Sequence, residues 1–557
     1  MSVLEKVSSS QLEPSREEQT EVKAQSSITD AETANNKQSS AGDPPVRKLK
    51  PMSWFFVVFS LLAALFLFAL DNTIVANIQE NIIYTLGGIE KLPWISVAFA
   101  LGAVATNLLW GQLYSNFESK SLFVSSVVIF EVGSALCGAA PSLDALIGGR
   151  AICGIGGMGI YLGTINMVSA LTNDQERPMY LGFVGLTWGI GTILGPIIGG
   201  AFTDSSATWR WSFYINLCIG GLAAPIYLFL LPVADPHRGQ SFLSRVKNLD
   251  LVGTVLSAGA ITTLVMVISF GGSVYAWNSG QTIGLFVATG VLWIAFILQQ
   301  RFSLLTKPQS RLFPTSLIKS WEMDILFAQM ASAQVVVTIP IYFIPIYFQF
   351  AKAETALRSG VQLLPFVLPL VFAVMLNGAV MAQVGYYMPW YVVGSALALA
   401  GSVLLYTINI NTTDARIHGY SILTAFGVGL FSQAGFAVAQ VKSAPQLLSQ
   451  AVAFIGIGQI SGITLALVIS NSIFLNDSTD KIASILPDMP RSVVQQAVSG
   501  VGGDFFNNLT SDQRQRVLNA IIESIDNTFI LVITASALSL VLSVFMKRER
   551  LFVTPPK

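Results

Sequence analysis

The chain contains about fourteen apolar segments of roughly 18–25 residues, and these segments constrain its fold more than any other feature. Hydrophobic residues make up 53% of the 557 residues and charged residues only 11%. A soluble domain carries about 25% charged residues. Because the backbone must satisfy its own hydrogen bonds in lipid, each segment is predicted to be a membrane-spanning helix. The net charge of +0 argues against a nucleic-acid partner.

The positions of the apolar segments predict the domain organisation. We expect a disordered cytosolic tail at 1–50, a six-helix bundle at 51–235, two extra spans within 236–300, a second six-helix bundle at 301–550 and a cytosolic tail at 551–557. An outer loop is expected at 475–527, with a short amphipathic helix near Arg491–Val498. Pro340, Pro345, Pro365 and Pro369 are expected to break spans nine and ten, since proline lacks the backbone donor that a helix interior uses.

The distribution of Lys and Arg predicts the orientation of the spans. With both termini in the cytosol, the cytosolic linkers hold most of the basic residues of the short loops, among them Arg245, Lys247 and Lys442. The same topology places all three Asn-X-Ser/Thr sequons on the outer side, at Asn411, Asn476 and Asn508. These three asparagines are therefore predicted to be available for N-glycosylation.

Three ionisable residues lie well inside predicted spans: Asp71, Glu131 and Arg150. At about 1.5 Å per residue, Asp71 lies roughly 6 Å and Arg150 roughly 10 Å below the outer surface, and Glu131 lies near the midplane. A charge in hydrocarbon costs about 2.5–3.5 kcal/mol on insertion scales, so such groups usually face a cavity or a partner. One interpretation is a proton-coupling site that opens to one side at a time; the other is a fixed ion pair that holds helices together.

The span from Gly182 to Gly200 holds seven glycines, one proline and no charge. Its defining residues are Gly182, Gly191, Gly195, Pro196, Gly199 and Gly200. Glycines spaced by four residues share one helix face and let a neighbouring helix approach closely. The segment is predicted to be either a hinging surface, bent at Pro196, or a simple tight packing face.

These motifs together resemble the fourteen-span drug:proton antiporter branch of the major facilitator superfamily, in particular its fungal members. Asp71 lies in Leu70-Asp71-Asn72-Thr73-Ile74-Val75, which is similar to the first-span motif of that branch, and Arg150 with Gly154 is similar to its span-four motif. The span from Gly182 to Gly200 is similar to its span-five antiporter motif. The resemblance implies an all-α major facilitator fold with two six-helix bundles and two extra helices. It also links Arg150 to proton coupling.

One loop departs from the pattern of that branch. Where the family usually reads Gly-X-Leu-X-Asp-Arg-X-Gly-Arg-Lys, this chain reads Gly111-Gln-Leu-Tyr-Ser115-Asn-Phe-Glu118-Ser119-Lys120. In the family that this chain resembles, the Asp at the position of Ser115 helps to close a cytosolic gate through charge contacts. Either Glu118 and Lys120 replace those contacts, or this gate is looser.

The resemblance implies a secondary active transporter that exports a small, fairly apolar toxin, drug or secondary metabolite in exchange for protons. Its partners would be that substrate, protons and the lipid bilayer, in a monomer that resides in the plasma membrane rather than in a vacuole or vesicle. Two alternatives remain open at this point. They are a proton-coupled importer of a metal chelate or basic amino acid, and a membrane sensor or scaffold that does not transport.

The sequence offers little support for enzyme chemistry. It contains no Walker-type loop, no Cys/His metal-ligand spacing and no Gly-X-Ser-X-Gly elbow. We therefore expect that the protein is not an enzyme and that it uses no cofactor and no metal.

Overall fold

A computed structural model describes residues 50–75, 78–87, 91–173, 176–203, 205–233, 235–236, 239–271, 275–313, 317, 320–444, 447–498 and 505–551. Apart from Lys50 and Leu551, the two predicted cytosolic tails lie outside these residues. The described part contains fourteen helices that are long and apolar enough to cross a membrane, as the sequence predicts. Since an apolar helix satisfies its backbone internally, repeated apolar runs of this length make the described part of the chain almost entirely helical.

The spanning helices are numbered in chain order. The first seven are α1 (Pro51–Ile74), α2 (Leu92–Asn116), α3 (Ser119–Ala139), α4 (Leu143–Leu171), α5 (Arg177–Thr203), α6 (Trp211–Pro225, continued by a π-helical turn at Ile226–Leu230) and α7 (Leu251–Phe270). The others are α8 (Gly280–Phe302), α9 (Trp321–Lys352), α10 (Leu364–Val384), α11 (Met388–Leu405), α12 (Asp414–Gly429 and Ala434–Val441), α13 (Leu448–Ile485) and α14 (Ser511–Val544). Shorter helices lie at Gln79–Leu86, Phe242–Val246, Ala356–Val361 and Arg491–Val498.

The interruptions of the helices are not where the prolines predict them. Helix α9 runs without a break through Pro340 and Pro345, and α10 contains Pro365 in its first turn and Pro369 in its interior. The break falls instead in α12, where residues 430–433 form turns between its two helical pieces. In a membrane helix neighbouring groups can compensate for the donor that a proline lacks, so proline alone does not predict a break.

Two of the helices extend beyond the predicted membrane spans. Helix α13 continues to Ile485 and α14 already begins at Ser511, so much of the loop predicted at 475–527 is helical. A capping box at Thr510 and Gln513 stabilises the start of α14. The short amphipathic helix expected at Arg491–Val498 is present between them.

Helices α1–α6 and α9–α14 form two bundles with the same order of packing. In the first bundle α1 packs on α5, and α4 packs on both α2 and α3; in the second bundle α9 packs on α13, and α12 packs on both α10 and α11. The sequence alone shows no convincing internal repeat, yet the packing repeats helix by helix. The predicted fold class, two six-helix bundles plus two extra helices, is confirmed.

The two bundles meet through two equivalent helix pairs, α5 with α10 and α2 with α13. The short helix Ala356–Val361 also contacts α5. The extra helices α7 and α8 pack against each other, and α7 packs on both α2 and α13. The extra pair therefore covers one of the two seams between the bundles.

Candidate functional site

Arg150 of α4 and Asp71 of α1 form a buried ion pair. Nη1 of Arg150 donates to Oδ2 of Asp71 at 2.5 Å and to the backbone carbonyl of Asp71 at 3.2 Å. Nε of Arg150 donates to the backbone carbonyl of Ile95 at 3.2 Å, and Cζ lies 4.1 Å from the centroid of the Phe99 ring. The side chains of Arg150 and Asp71 are 1% and 0% exposed, so each charge depends on the other for compensation.

Asn216 of α6 connects this ion pair to α3. Its Nδ2 atom is 3.5 Å from Oδ1 of Asp71 and donates to Oγ of Ser134 at 3.0 Å. Asn216 is fully buried. The sequence interpretation does not single out Asn216 as a site residue, although a polar side chain in an apolar span could have marked it.

Glu131 of α3 makes no hydrogen bond with the ion pair and faces Gly220 of α6. A Cβ atom placed on Gly220 would overlap Oε1 of Glu131, so the carboxylate occupies space that only a glycine leaves open. Both carboxylate oxygens are buried, and neither meets a hydrogen-bond partner among the described residues. The structure thus brings together two of the three predicted coupling residues and places the third in the same bundle without an ion pair in the described part of the chain.

Three glycines of α5 pack directly against α1: Gly191, Gly195 and Gly199. A Cβ on Gly199 would lie 2.8 Å from the carbonyl oxygen of Ile74, and a Cβ on Gly195 would overlap Oγ1 of Thr73. Nothing lies within 4 Å of a Cβ on Gly200. The α1–α5 contact therefore requires glycine at positions 191, 195 and 199, whereas position 200 has room for a larger side chain.

The first part of the same glycine-rich stretch faces the other bundle. A Cβ on Gly182 would lie 3.7 Å from the carbonyl oxygen of Val374 on α10, and one on Gly189 would lie 2.7 Å from Cγ2 of Val371. Helix α5 is continuous through Pro196, whose side chain lies outside the described part. Helix α5 is thus a shared element, packed on α1 of its own bundle and on α10 of the other.

The loop from Gly111 to Lys120, which departs from the family pattern, makes hydrogen bonds within the first bundle. Oγ of Ser115 donates to the carbonyl of Gly111 at 2.9 Å within the same helix, and Glu118 accepts a bond from Ser121 at 3.0 Å. Nζ of Lys120 donates to the carbonyl of Leu228 at 2.7 Å, in the same bundle. Among the described contacts, neither Glu118 nor Lys120 reaches the second bundle.

Aromatic rings collect where the bundles face each other. The Tyr161 ring lies 5.6 Å from the Trp188 ring and 6.4 Å from the Phe436 ring, and Trp188 lies 5.5 Å from Phe68. The hydroxyl of Tyr161 donates to Oε1 of Gln459 on α13. These five residues, which we call the aromatic layer, combine four aromatic rings with one neutral amide, and all of them except Trp188 are buried. Such a set of side chains suits contact with an apolar organic molecule.

The three predicted glycosylation sites differ in their surroundings. Asn411 and Asn508 are exposed in segments outside the spanning helices. Asn476 instead lies inside α13, where its Nδ2 atom donates to the carbonyl of Ser472 at 2.9 Å. Ser478, the third residue of its sequon, is fully buried. The assumption that Asn476 lies in a loop is wrong, because α13 continues past the membrane span.

A further ionic cluster joins the ends of several helices to the last described residues. Nζ of Lys442 donates to Glu322 at 2.5 Å, to the hydroxyl of Tyr387 at 3.0 Å and to Glu549. Nζ of Lys547 lies 2.5 Å from the other oxygen of Glu322. The sequence interpretation counts Lys442 only as a topology marker and does not predict this cluster.

A bundle pair with buried charges inside its spans is the architecture of a multi-pass membrane transporter, and comparison with known proteins identifies the family. The Major Facilitator Superfamily model matches residues 60–467 of this chain. The chain belongs to the major facilitator superfamily, which confirms the family that the sequence motifs indicate. Membership is consistent with the expectation that the protein is not an enzyme.

Fungal relatives match the chain over nearly its whole length. The MFS-type transporter pgmG of Aspergillus terreus is 48% identical over 507 residues, which are 91% of this chain and 90% of that protein. The efflux pump alnA of Emericella nidulans is 47% identical and covers 91% of this chain and 92% of its own length. The efflux pump patC of Aspergillus clavatus is 40% identical, with 90% and 92% covered.

Solved structures share the fold at low sequence identity. The human organic anion transporter MFSD10 aligns with a TM-score of 0.54 and 11% identity, covering 87% of this chain and 100% of its own. A bacterial homolog of the human lysosomal transporter Spinster, in an inward-facing and unoccupied conformation, aligns with a TM-score of 0.54 and 15% identity, covering 89% and 98%. At these identities the likeness concerns the fold alone.

Proposed function

We propose that this protein exports a small, fairly apolar organic compound from the cytosol in exchange for protons. The observation that carries the proposal is the fully buried Asp71–Arg150 pair, held between α1, α2 and α4 of the first bundle. The fungal relatives are named efflux pumps and MFS-type transporters, which favours export over the importer and scaffold alternatives.

The proton is exchanged at the carboxylates of the first bundle. An ionised Glu131 would be buried without a partner among the described residues, and such a charge is costly, so Glu131 is a place where a proton binds. The negative charge of Asp71 is balanced by Arg150. This ion pair is lost only when the Asp71 carboxylate takes a proton. Rocking of the two bundles against each other would expose these groups alternately to the two sides of the membrane, so that protons bind on one side and leave on the other.

The substrate binds at the aromatic layer, between the two bundles. The layer contains contributions from α1, α4 and α5 of one bundle and from α12 and α13 of the other. Three residues before Phe436, α12 carries Gln433, which packs beside Gly185 of α5 and whose Oε1 atom is buried without a partner among the described residues. A free amide oxygen beside aromatic rings suits a neutral substrate that has an apolar body and one hydrogen-bond donor.

The protein resides in the plasma membrane with both termini in the cytosol, and it acts as a monomer. In this orientation Gly182 near the start of α5 and Gly111 near the end of α2 lie on the cytosolic side. Both glycines contact the second bundle, at Val374 and Ala453 respectively. The described conformation is therefore closed towards the cytosol along these two seams, and loading from the cytosol requires the seams to part.

The proposal is tested in two stages. First, cells with and without the gene are grown on a panel of neutral aromatic toxins, and the compound whose toxicity rises most on deletion becomes the transport probe. Second, proteoliposomes that contain a trapped pH-sensitive dye receive that probe under an imposed pH gradient. Proton movement that depends on the probe supports exchange. Probe movement that is indifferent to the gradient would reject proton coupling, and accumulation in cells that carry the gene would reject export.

A further inference from the structure

Asp250 lies at the start of α7 and is the centre of a buried polar cluster. Its Oδ1 atom accepts bonds from the backbone N–H of Gly253 at 2.8 Å and from Nε2 of Gln299 at 3.0 Å. Its Oδ2 atom accepts bonds from Nε2 of Gln300 at 2.7 Å and from the backbone N–H of Leu312 at 3.1 Å. Asp250 is 1% exposed, so one carboxylate ties together the start of α7, the end of α8 and the linker that leads to α9.

Gln112 of α2 connects this cluster to the first bundle. Its Oε1 atom accepts a bond from the backbone N–H of Asp250 at 3.0 Å, and its Nε2 atom donates to the carbonyl of Ser310 at 2.7 Å. Gln112 is buried. Both the oxygen and the nitrogen of its amide are therefore bonded, one to the residue before α7 and the other to a residue after α8.

The linker that follows Ser310 reaches the second bundle. The Phe313 ring lies 5.7 Å from the Phe454 ring on α13. A small apolar cluster completes the connection, formed by Leu108 of α2, Phe296 of α8 and Leu312 of the linker, with Ile457 of α13 packed on it. The residues from Asp250 to Phe313 thus touch the first bundle through α2 and the second bundle through α13.

This cluster covers the seam at which the two bundles are in close contact. A Cβ on Gly111 would overlap the Cβ of Ala453, so α2 and α13 meet there without a gap. Gln112 is the next residue after Gly111. Any movement that separates α2 from α13 on the cytosolic side must therefore break or carry along the bonds of Gln112.

We propose that Asp250, Gln112 and the linker residues Ser310–Phe313 form a clasp that holds the cytosolic seam closed, with Asp250 as its positioning residue. The clasp gives the extra helix pair a role in the transport cycle, which is to set the stability of the cytosol-closed state. It acts through neutral amide donors on one buried carboxylate. The charged residues of the neighbouring loop, Glu118 and Lys120, contribute no described contact across the seam.

The clasp predicts how the conformational equilibrium responds to mutation. Asp250→Asn removes the charge that accepts four N–H donors, and Gln112→Met removes both amide bonds of Gln112 while keeping a similar side-chain volume. Each change is expected to favour the cytosol-open state. The shift should be about tenfold for Asp250→Asn, which loses bonds to a charged group, and roughly several-fold for Gln112→Met, whose two bonds join neutral groups.

The experiment measures cytosolic exposure of the seam directly. Ser115→Cys places a nearly isosteric thiol one turn from Gly111, in a background in which Cys137, Cys153 and Cys218 are replaced by Ser or Ala. Inside-out vesicles are treated with a membrane-impermeant maleimide, and the rate of labelling at position 115 is followed. Both Asp250→Asn and Gln112→Met should increase this rate. Asp235→Asn is the matched control, since Asp235 pairs with Arg245 at 2.9 Å outside the clasp, and it should leave the rate unchanged.

The outcomes separate the clasp from a merely structural role. Faster labelling in clasp variants that remain monodisperse in detergent supports the clasp, whereas unchanged labelling in both variants overturns it. If Asp250→Asn fails to assemble, the rate measured for Gln112→Met decides alone. The inference rests on the proposed function, because a gate matters only in a transporter. Labelling needs no substrate and no pH gradient, however, so a failure of the clasp is distinguishable from a failure of proton exchange.

Discussion

Arg150 binds the carboxylate of Asp71 through Nη1 alone, while its Nε atom is bound to the carbonyl of Ile95. The guanidinium also donates to the backbone carbonyl of Asp71 and lies over the Phe99 ring. The position of Arg150 is thus fixed by groups that do not titrate. Protonation of Asp71 would remove the charge of the acid without releasing the base, which leaves Arg150 as a fixed positive charge inside the first bundle.

This asymmetry predicts different effects of mutating the two partners. Arg150→Ala leaves the buried Asp71 carboxylate uncompensated and should lower the free energy of unfolding by about 3–5 kcal/mol. Asp71→Asn should cost less, because the carbonyl and ring contacts of Arg150 remain. Both variants should lose gradient-driven flux. Thermal unfolding in detergent and flux in proteoliposomes measure the two effects, and full flux in both variants would contradict a coupling role for the pair.

Replacing Glu131 should affect proton coupling without lowering the stability of the protein. Because its carboxylate oxygens find no partner among the described residues, Glu131→Gln removes a costly group at almost constant volume. The variant should be at least as stable as the parent protein in thermal unfolding. Its transport rate should depend less on the external pH. Glu118→Gln is the control at the membrane edge and should keep the parent pH profile; an unchanged profile in Glu131→Gln would remove Glu131 from the proton path.

Much of this fold could be predicted from the sequence because long apolar runs have few options in lipid. Fourteen spans and the two bundles follow from length, hydrophobicity and motif resemblance. The break in α12 and the extensions of α13 and α14 beyond their predicted spans could not be predicted in this way. The turns at 430–433 contain no proline, and the extensions are polar helices outside the apolar window.

The site was predictable where a charge lies in an apolar segment, and less so elsewhere. Asp71 and Arg150 stand out for that reason, and the structure places them together. Glu131 stands out equally, yet its carboxylate makes no hydrogen bond with the pair. The contact of Gln112 with Asp250 joins residues 138 positions apart, and neither lies deep in a predicted span. Such contacts depend on how the helices pack, which composition and spacing do not reveal.

The α1–α5 contact predicts a contrast between two glycines of the same motif. Gly195→Ala introduces a methyl group that overlaps Oγ1 of Thr73, so α5 must move away from α1. We expect a loss of about 1–3 kcal/mol of stability, as for other overpacked sites, and a large loss of transport. Gly200→Ala, which meets nothing within 4 Å, should be neutral in both assays. Equal effects of the two substitutions on thermal unfolding and flux would contradict a packing role that is specific to Gly195.

The ionic cluster at Lys442 predicts a stability effect far from the proton path. Although burial lowers the pKa of Lys442, its hydrogen bonds to Glu322, Glu549 and Tyr387 raise that pKa above the ordinary value for lysine. A raised pKa means that the stabilisation is fully present at neutral pH and is lost only as the pH rises above the ordinary pKa of lysine.

Lys442→Met should therefore lower stability by about 2–4 kcal/mol at pH 7, because it leaves Glu322 and Glu549 without this cation. Lys481→Met, which removes the more exposed pairs with Asp477 and Glu523, should cost less than about 1 kcal/mol. Thermal unfolding of the two variants at pH 7 gives the comparison. The cluster has no energetic role if Lys442→Met unfolds at the same temperature as Lys481→Met.

The sequons predict a pattern of glycosylation that reports the topology. If the outer side faces the secretory lumen during synthesis, the exposed Asn508 and Asn411 are available to the transferase, whereas Asn476 is enclosed in α13 with a buried Ser478. Single Asn→Gln variants expressed in a eukaryotic host, with and without glycosidase, are compared by mobility on a denaturing gel. Asn508→Gln or Asn411→Gln should remove a mobility shift, and Asn476→Gln should not. A shift that is lost only in Asn476→Gln would mean that α13 ends before this residue, and that the outer ends of α13 and α14 are not helical in the cell.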